Sequence, residues 1–343
     1  MSPDGERVYV LDGASAEVTI WNRGGELLGR VGGHGEGPGE FRGPEQVVAL
    51  DNGFRVRDAS GFVSFSDEGV VVGSRRVPTT VSFRGFPVDP IAMARDGTIA
   101  AYPLVPDGVR EGSHGDDPML DIPLLVVTEA DGAWRLDTVA LLDERNLAMS
   151  LRRSGSDGRE YQTAQPFGDW DEYAIDPDFN ALVVVRRKAE GVGGIRLTRI
   201  SRAGDTLWSR RIRLPPLPLT AEEIQRAIDT ESQALVQLWP EVSRVQARRM
   251  VRAAMHTPEY RPAADRAVVM ADGEVWLRTG EGADSDTLAV WYFVKGRHGA
   301  PTQVVLPRRF FPMGGRADDV VWGPYFDSLG VSYAEIRRLE GGS

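Results

Sequence analysis

Short apolar runs separated by Gly and Asp turns recur along the chain. The first unit follows the turn Asp4-Gly5 and has apolar runs at 8–12, 18–21 and 27–31. The second unit follows Asn52-Gly53 and has runs at 54–58, 62–65 and 70–72. Short or alternating apolar runs bounded by turn residues are typical of β-strands and hairpins. Each unit therefore predicts a group of consecutive antiparallel strands.

Looser copies of the unit continue to the end of the chain. They begin near Asp96, Asp178, Asp272 and Val320, which gives about six units in all. Four-stranded units repeated four to eight times are typical of β-propellers. The repeats therefore predict an all-β fold in which residues 1–343 form a single domain, a six-bladed β-propeller.

Two segments of the first 70 residues carry a resemblance to a known family. They are Val8–Asp12 with its following aromatic-Gly turn, and the run Val31-Gly-Gly-His-Gly-Glu-Gly-Pro-Gly-Glu-Phe41. Both resemble the NHL-repeat type of bacterial six-bladed β-propeller, and the spacing of the weaker units extends the resemblance along the chain. The resemblance implies a binding or scaffolding domain, and it implies export, since many members of that group are exported.

The first and last units are shorter than the others. No innermost strand precedes Asp4-Gly5, and no outermost strand is evident after Leu339. We therefore expect incomplete first and last blades, and a native chain that extends beyond Met1. The sequence has no signal peptide, so an exported or periplasmic location rests on the resemblance and on that longer N-terminus.

Residues 219–256 depart from the strand pattern. Thr220 with Glu223 forms a capping box that predicts a first helix, Pro240 interrupts it, and a second helix is predicted over Glu241–Met255. We expect a helical insertion between blades four and five. Two interpretations stay open: a surface cover over a face or edge, or a lid or docking element built on Trp239 and the arginines at 244, 248, 249 and 252.

Composition excludes several classes of site and partner. The chain has no Cys, so it has no disulfide, thiolate zinc site or cysteine nucleophile. With 40 Lys and Arg against 50 Asp and Glu, the net charge is -10, which disfavours nucleic acid as a partner. No apolar stretch is long enough to span a membrane. We expect a monomer whose partner is a protein or a small ligand.

The local motifs of common enzymes are missing. The four histidines, at 34, 114, 256 and 298, lack zinc-site spacing, and no Gly-x-Ser-x-Gly or phosphate-binding loop occurs. The Gly-rich segment 32–40 could present backbone N–H groups to an anion, but it leads into a strand. We interpret it as a connector between blades, with His34 exposed, and we predict no cofactor.

Charged residues recur where connectors lead into the innermost strands, the level at which propellers bind ligands. We call them the rim residues: Arg42, Glu45, Asp89, Asp171, Glu172, Asp265, Arg266 and Arg316. The inner strands themselves, 47–50, 91–94 and 268–270, are small or apolar. The rim residues are either solvated loop charges or a recognition surface for a protein, peptide, glycan or small ligand.

Two functions follow from these alternatives. The first, which we prefer, is a non-enzymatic binding or scaffold propeller. The second is a metal-dependent hydrolase or lactonase in which Glu45, Asp89, Asp171 and Asp265 converge on one divalent cation in the channel. The acidic pairs at 116–117, 169/171 and 318–319 could likewise hold a cation. Convergence of the carboxylates on one point would distinguish the two functions.

Overall fold

A computed structural model describes residues 2, 4–58, 61–78, 80–105, 121–143, 148–152, 160–176, 179–187, 191–270, 272–279, 288–316, 320–327 and 332–339. Within these residues the chain forms antiparallel sheets whose strands pair in chain order. Sheet 1 contains β1 (Arg7–Asp12), β2 (Glu17–Asn22) and β3 (Leu27–Gly32). Sheet 2 contains β4 (Pro44–Leu50), β5 (Gly53–Asp58), β6 (Gly61–Phe65) and β7 (Val71–Arg76). Sheet 3 contains β8 (Ser82–Phe83), β9 (Phe86–Met93), β10 (Ile99–Pro103), β11 (Asp121–Ala130) and β12 (Ala133–Asp143).

The remaining elements include a hairpin and two helices. The hairpin pairs β13 (Ala148–Arg152) with β14 (Glu160–Ala164). Sheet 4 contains β15 (Glu172–Ile175), β16 (Ala181–Arg186), β17 (Gly194–Ser201) and β18 (Thr206–Arg213). The helices α1 (Ala221–Leu238) and α2 (Arg244–Ala254) follow. Sheet 5 contains β19 (Arg266–Val269), β20 (Val275–Arg278), β21 (Leu288–Val294) and β22 (Thr302–Pro307). Sheet 6 contains β23 (Gly314–Arg316), β24 (Val320–Phe326) and β25 (Ser332–Arg338).

Apolar residues on the sheet faces form a core cluster between each sheet and the next. The cluster between sheets 1 and 2, for example, includes Ile20, Phe41 and Phe54, and the stacked rings of Phe54 and Phe65 lie 4.8 Å apart. Equivalent clusters follow between the later sheets. Consecutive sheets packed face to face are the arrangement of a propeller, which confirms the predicted all-β fold and propeller. None of these clusters joins sheet 6 to sheet 1, so the closed ring of six blades stays a prediction.

The Gly-rich segment after β3 is a tight connector between sheets 1 and 2. Gly32, Gly33 and Gly39 all have positive φ, a conformation that glycine adopts without steric cost. A Cβ on Gly32 would lie 2.5 Å from the carbonyl oxygen of Ala16 and 2.7 Å from the ring of Phe41. The glycines therefore let the connector turn closely over the buried Phe41, as its interpretation as a connector requires. His34 is exposed.

The first helix has the predicted capping box, and the second helix begins later than predicted. The side chain of Thr220 accepts a hydrogen bond from the backbone of Glu223, and Glu223 reaches back to the backbone of Thr220. The second helix begins at Arg244, not at Glu241, and ends at Ala254. The reason is that Val242 donates to the carbonyl of Trp239 in a turn, and Ser243 then caps the new helix.

The helices pack against the hairpin β13–β14 to form a core of their own. Met149 and Leu151 of the hairpin belong to the same core cluster as Ile228, Leu235 and Val251 of the helices. Trp239 belongs to this core and is 3% exposed, so its side chain packs inside the helix-hairpin unit and does not form a surface. Neither helix in the described part of the chain combines the length and apolarity needed to cross a membrane.

Candidate functional site

The rim residues of sheets 2 and 3 are connected by an arginine that sequence analysis did not single out. Arg57 on β5 forms an ion pair with Glu45, donates to the carbonyl of Pro90 at 3.2 Å and lies 3.8 Å from the carboxylate of Asp89. The hydroxyl of Tyr102 donates to Asp89, and burial together with this carboxylate raises the pKa of Tyr102. Glu45 and Asp89 are therefore brought together by one guanidinium.

Asp171 has an environment of its own beside sheet 3. Its buried carboxylate accepts from the backbone of Asp143 and from Nε of Arg186, both at 3.0 Å. Burial raises the pKa of Asp171 although both partners favour the charged form. Asp171 directly precedes β15, and its hydrogen bond with Asp143 connects that strand to the end of β12. This contact gives Asp171 a structural role.

Glu172 lies next to the buried Arg187. Its carboxylate accepts from the indole N–H of Trp170 at 3.0 Å. Burial raises the pKa of Glu172, and the positive charge of Arg187 opposes that rise. Asp265 and Arg266 are close enough to influence the same carboxyl, so rim residues of sheets 4 and 5 form one group.

The rim residues of sheet 5 lie against Phe311. Arg278 donates to both carboxylate oxygens of Asp265, at 2.8 and 3.0 Å. The guanidinium groups of Arg266 and Arg278 lie 5.0 and 5.6 Å from the centroid of the Phe311 ring. This places two cations and one carboxylate at the start of β19.

The last two rim residues do not join these groups. Arg42 is exposed and pairs with Glu36 at 2.8 Å. Arg316 is the last residue of β23 and lies opposite Val320 in the register of sheet 6. Its side chain lies outside the described part of the structure.

The carboxylates of the hydrolase hypothesis are each paired with an arginine. Glu45 and Asp89 share Arg57, Asp171 contacts Arg186, and Asp265 contacts Arg278. Within the described residues, no group of three or more His, Asp and Glu side chains could hold a metal ion. Asp169 pairs with Arg187 at 3.2 Å, and the acidic pairs at 116–117 and 318–319 lie outside the described residues.

A cavity of about 300 Å³ lies between sheets 2, 3 and 4, on the side where the propeller prediction places the channel, and we call it the channel cavity. Its polar lining consists of Gln46, Arg55, Arg57, Tyr102, Tyr173 and Asp176. The apolar wall includes Val48, Ile91, Met93 and Ile175. Ligand pockets are mainly apolar clefts with a few placed polar groups, from about 300 Å³ upward. This cavity is at the lower end of that size range, and its lining is more polar, since six of its twelve lining residues are polar or charged.

The alternation of apolar residues and arginines in β5 could have indicated this cavity from the sequence. Phe54 and Val56 are fully buried in the core shared with sheet 1, so Arg55 and Arg57 must face the opposite way. Arg55 is buried and donates to the carbonyl of Met93 on sheet 3. An apolar-Arg-apolar-Arg strand therefore indicated that polar groups face the next sheet.

Comparison with known proteins supports the fold only. No family model and no curated protein matches the sequence. A DUF4221 protein from Bacteroides vulgatus is 10% identical, with 96% of this chain and 89% of that chain aligned at a TM-score of 0.50. The calcium-binding protein regucalcin from Agrobacterium tumefaciens is 11% identical over 97% and 87% of the two chains, at a TM-score of 0.38. The likeness at 0.50 shows the fold alone.

Proposed function

We propose that this chain is a non-enzymatic β-propeller that binds a small uncharged molecule in the channel cavity. The observation that supports this function is the cavity itself, which joins an apolar wall to hydrogen-bonding side chains. It is lined by residues of β4, β5, β9 and β15, and rigid scaffolds commonly carry the groups that bind ligands.

The charges around the cavity favour an uncharged ligand. Arg57 is matched by Glu45 and Asp89, and the carboxylate of Asp176 accepts two backbone N–H groups, from Asn180 and Ala181. A charged ligand would have to displace these partners, whereas a neutral molecule can use Gln46 and the tyrosines for hydrogen bonds. We therefore propose a ligand with one apolar face and one edge of hydroxyl or amide groups.

The proposed architecture has finer features than the propeller arrangement itself. We infer that the six sheets are six blades of an NHL-like propeller, with α1 and α2 inserted between blades four and five. The repeat spacing and the resemblance of 31–41 to that family support the inference. A monomeric state and an exported or periplasmic location remain predictions from the same resemblance.

The cavity proposal is tested by blocking the cavity. We expect N-acetylglucosamine or benzamide, each with an apolar face and an amide, to show saturation-transfer NMR signals with the wild-type protein. Ala92→Trp, which projects a large side chain into the cavity, should remove the signal. Gln46→Leu should weaken it while keeping the volume. Ala253→Trp, at an exposed position on α2, is the matched control and should bind as the wild type does.

Two results would overturn this proposal. Signals that are absent with wild-type protein for both probes, or that persist unchanged in a folded Ala92→Trp variant, contradict binding in the cavity. The experiment is repeated after EDTA treatment and after addition of Ca²⁺. Binding that disappears with EDTA and returns with Ca²⁺ would favour the metal-dependent alternative, because the proposed site uses only side chains of this chain.

A further inference from the structure

Sheet 5 holds two arginines directly opposite each other. Arg266 of β19 pairs with Arg278 of β20 in the antiparallel register, so their side chains lie on the same face with Cβ atoms about 5 Å apart. Like charges in that position destabilise a sheet. Both guanidinium groups also contact the ring of Phe311, so they do not extend away from each other into solvent.

Only one of the two charges is neutralised by a direct contact. Asp265 receives two hydrogen bonds from Arg278. The side chain of Arg266 has no hydrogen bond or ion pair with any residue in the described part of the chain. Its residue is exposed, and its planar guanidinium therefore has donors that a ligand can reach.

The surroundings limit the charge that a ligand can carry. Asp265, Arg266 and Arg278 together have one net positive charge, and Glu172 is the next carboxylate near Arg266. The residue is exposed, but partial burial of its guanidinium lowers the pKa of Arg266, and the positive charge of Arg278 lowers it further. One added negative charge would relieve the repulsion between the arginines, whereas a dianion would be repelled by Asp265 and Glu172.

We propose that Arg266, supported by Arg278 and Phe311, binds a carboxylate group at the start of β19. A guanidinium matches a carboxylate with two parallel N–H donors, and the cation–π contact with Phe311 restricts where the guanidinium of Arg266 can lie. The site is formed by residues of sheet 5 and the segment before sheet 6, apart from the channel cavity of sheets 2 to 4. It therefore does not depend on the function proposed for that cavity.

Arginine side-chain NMR tests the site with acetate as the probe. The Nε–H resonances of the ¹⁵N-labelled full chain are followed while sodium acetate replaces sodium chloride at constant ionic strength. We expect one resonance to shift and saturate at millimolar acetate, and Arg266→Gln should remove that resonance. Arg249→Gln is the matched control, because Arg249 is also an exposed arginine without a partner in the described residues.

The outcomes separate a site from general screening. A saturable shift of the Arg266 resonance, with Arg249 unaffected, supports the proposal. A linear response shared by Arg266 and Arg249 would overturn it, as would a saturating response that survives in Arg266→Gln. A stronger response to inorganic phosphate than to acetate would contradict the assignment to a monoanionic carboxylate.

Discussion

At the scale of single residues, Glu172 shows how the fold changes a rim carboxylate. Sequence analysis could place it at the start of an inner strand but could not foresee its half-buried position beside Trp170 and Arg187. Burial disfavours the charged carboxylate, and the attraction of Arg187 offsets only part of that cost, so the pKa of Glu172 is raised. The charged carboxylate of Glu172 at neutral pH therefore costs the folded protein stability.

Glu172→Gln tests this electrostatic cost. A carboxyl whose pKa is higher in the folded than in the unfolded state stabilises the fold fully below the unfolded pKa, and that stability is lost as pH rises through the folded pKa. We expect Glu172→Gln to unfold at higher urea concentration than wild type at pH 7, and this advantage should shrink as the pH falls toward 4. Urea titrations at several pH values measure it. A Gln variant that is less stable at pH 7 would contradict the prediction.

At the scale of elements, local signals predicted strands better than they predicted partners. The runs at 8–12, 18–21 and 62–65 lie within or closely match β1, β2 and β6, because strand alternation and turn residues are local properties. The capping box at Thr220 was readable for the same reason. The hairpin β13–β14 was not predicted. Its strands have only five residues each, and the alternating Met149 and Leu151 acquire their core through α1 and α2.

Leu151→Ala tests whether the hairpin and the helices form one packed unit. Leu151 is 2% exposed and lies in the core shared with Ile228 and Leu235. Removing a buried Leu side chain leaves a cavity, and we expect the free energy of unfolding to fall by about 2–5 kcal/mol. Leu207→Ala, at a position 53% exposed, should change it by less than about 0.5 kcal/mol. Urea unfolding followed by helical circular dichroism compares the two variants. Equal losses of unfolding free energy would contradict a core shared by the hairpin and the helices.

At the scale of the whole molecule, the contacts that build the candidate sites connect different sheets. Arg57 of sheet 2 contacts Asp89 of sheet 3. Tyr173 of sheet 4 and Gln46 of sheet 2 line the same cavity. No spacing along the sequence records such contacts, because they depend on how consecutive sheets pack. The repeat therefore predicted that charged residues lie where connectors lead into inner strands. It could not predict the partner of each charge or the cavity.

Arg187 makes another long-range connection, between the helices, the hairpin and the sheets. It follows β16 and is almost completely buried. Its guanidinium donates to the carbonyl of Trp170, in the segment leading from the hairpin to β15, and to the carbonyl of Ala264, in the segment leading from α2 to β19. One side chain thus contacts two of the segments that join the helix-hairpin unit to the sheets, with Asp169 as its ion-pair partner.

Replacing Arg187 should weaken this connection before it weakens the sheets. In Arg187→Met the two carbonyls lose their donor and Asp169 loses its partner, so we expect the free energy of unfolding to fall by about 2–4 kcal/mol. Arg187→Lys keeps the charge but not the planar fork of donors and should fall between Met and wild type. The exposed Arg213→Met is the control. Hydrogen-exchange mass spectrometry should show α1 and α2 losing protection before β16 and β20 in Arg187→Met. Uniform loss across helices and sheets would mean that Arg187 stabilises the fold as a whole and does not act as the connection between its two parts.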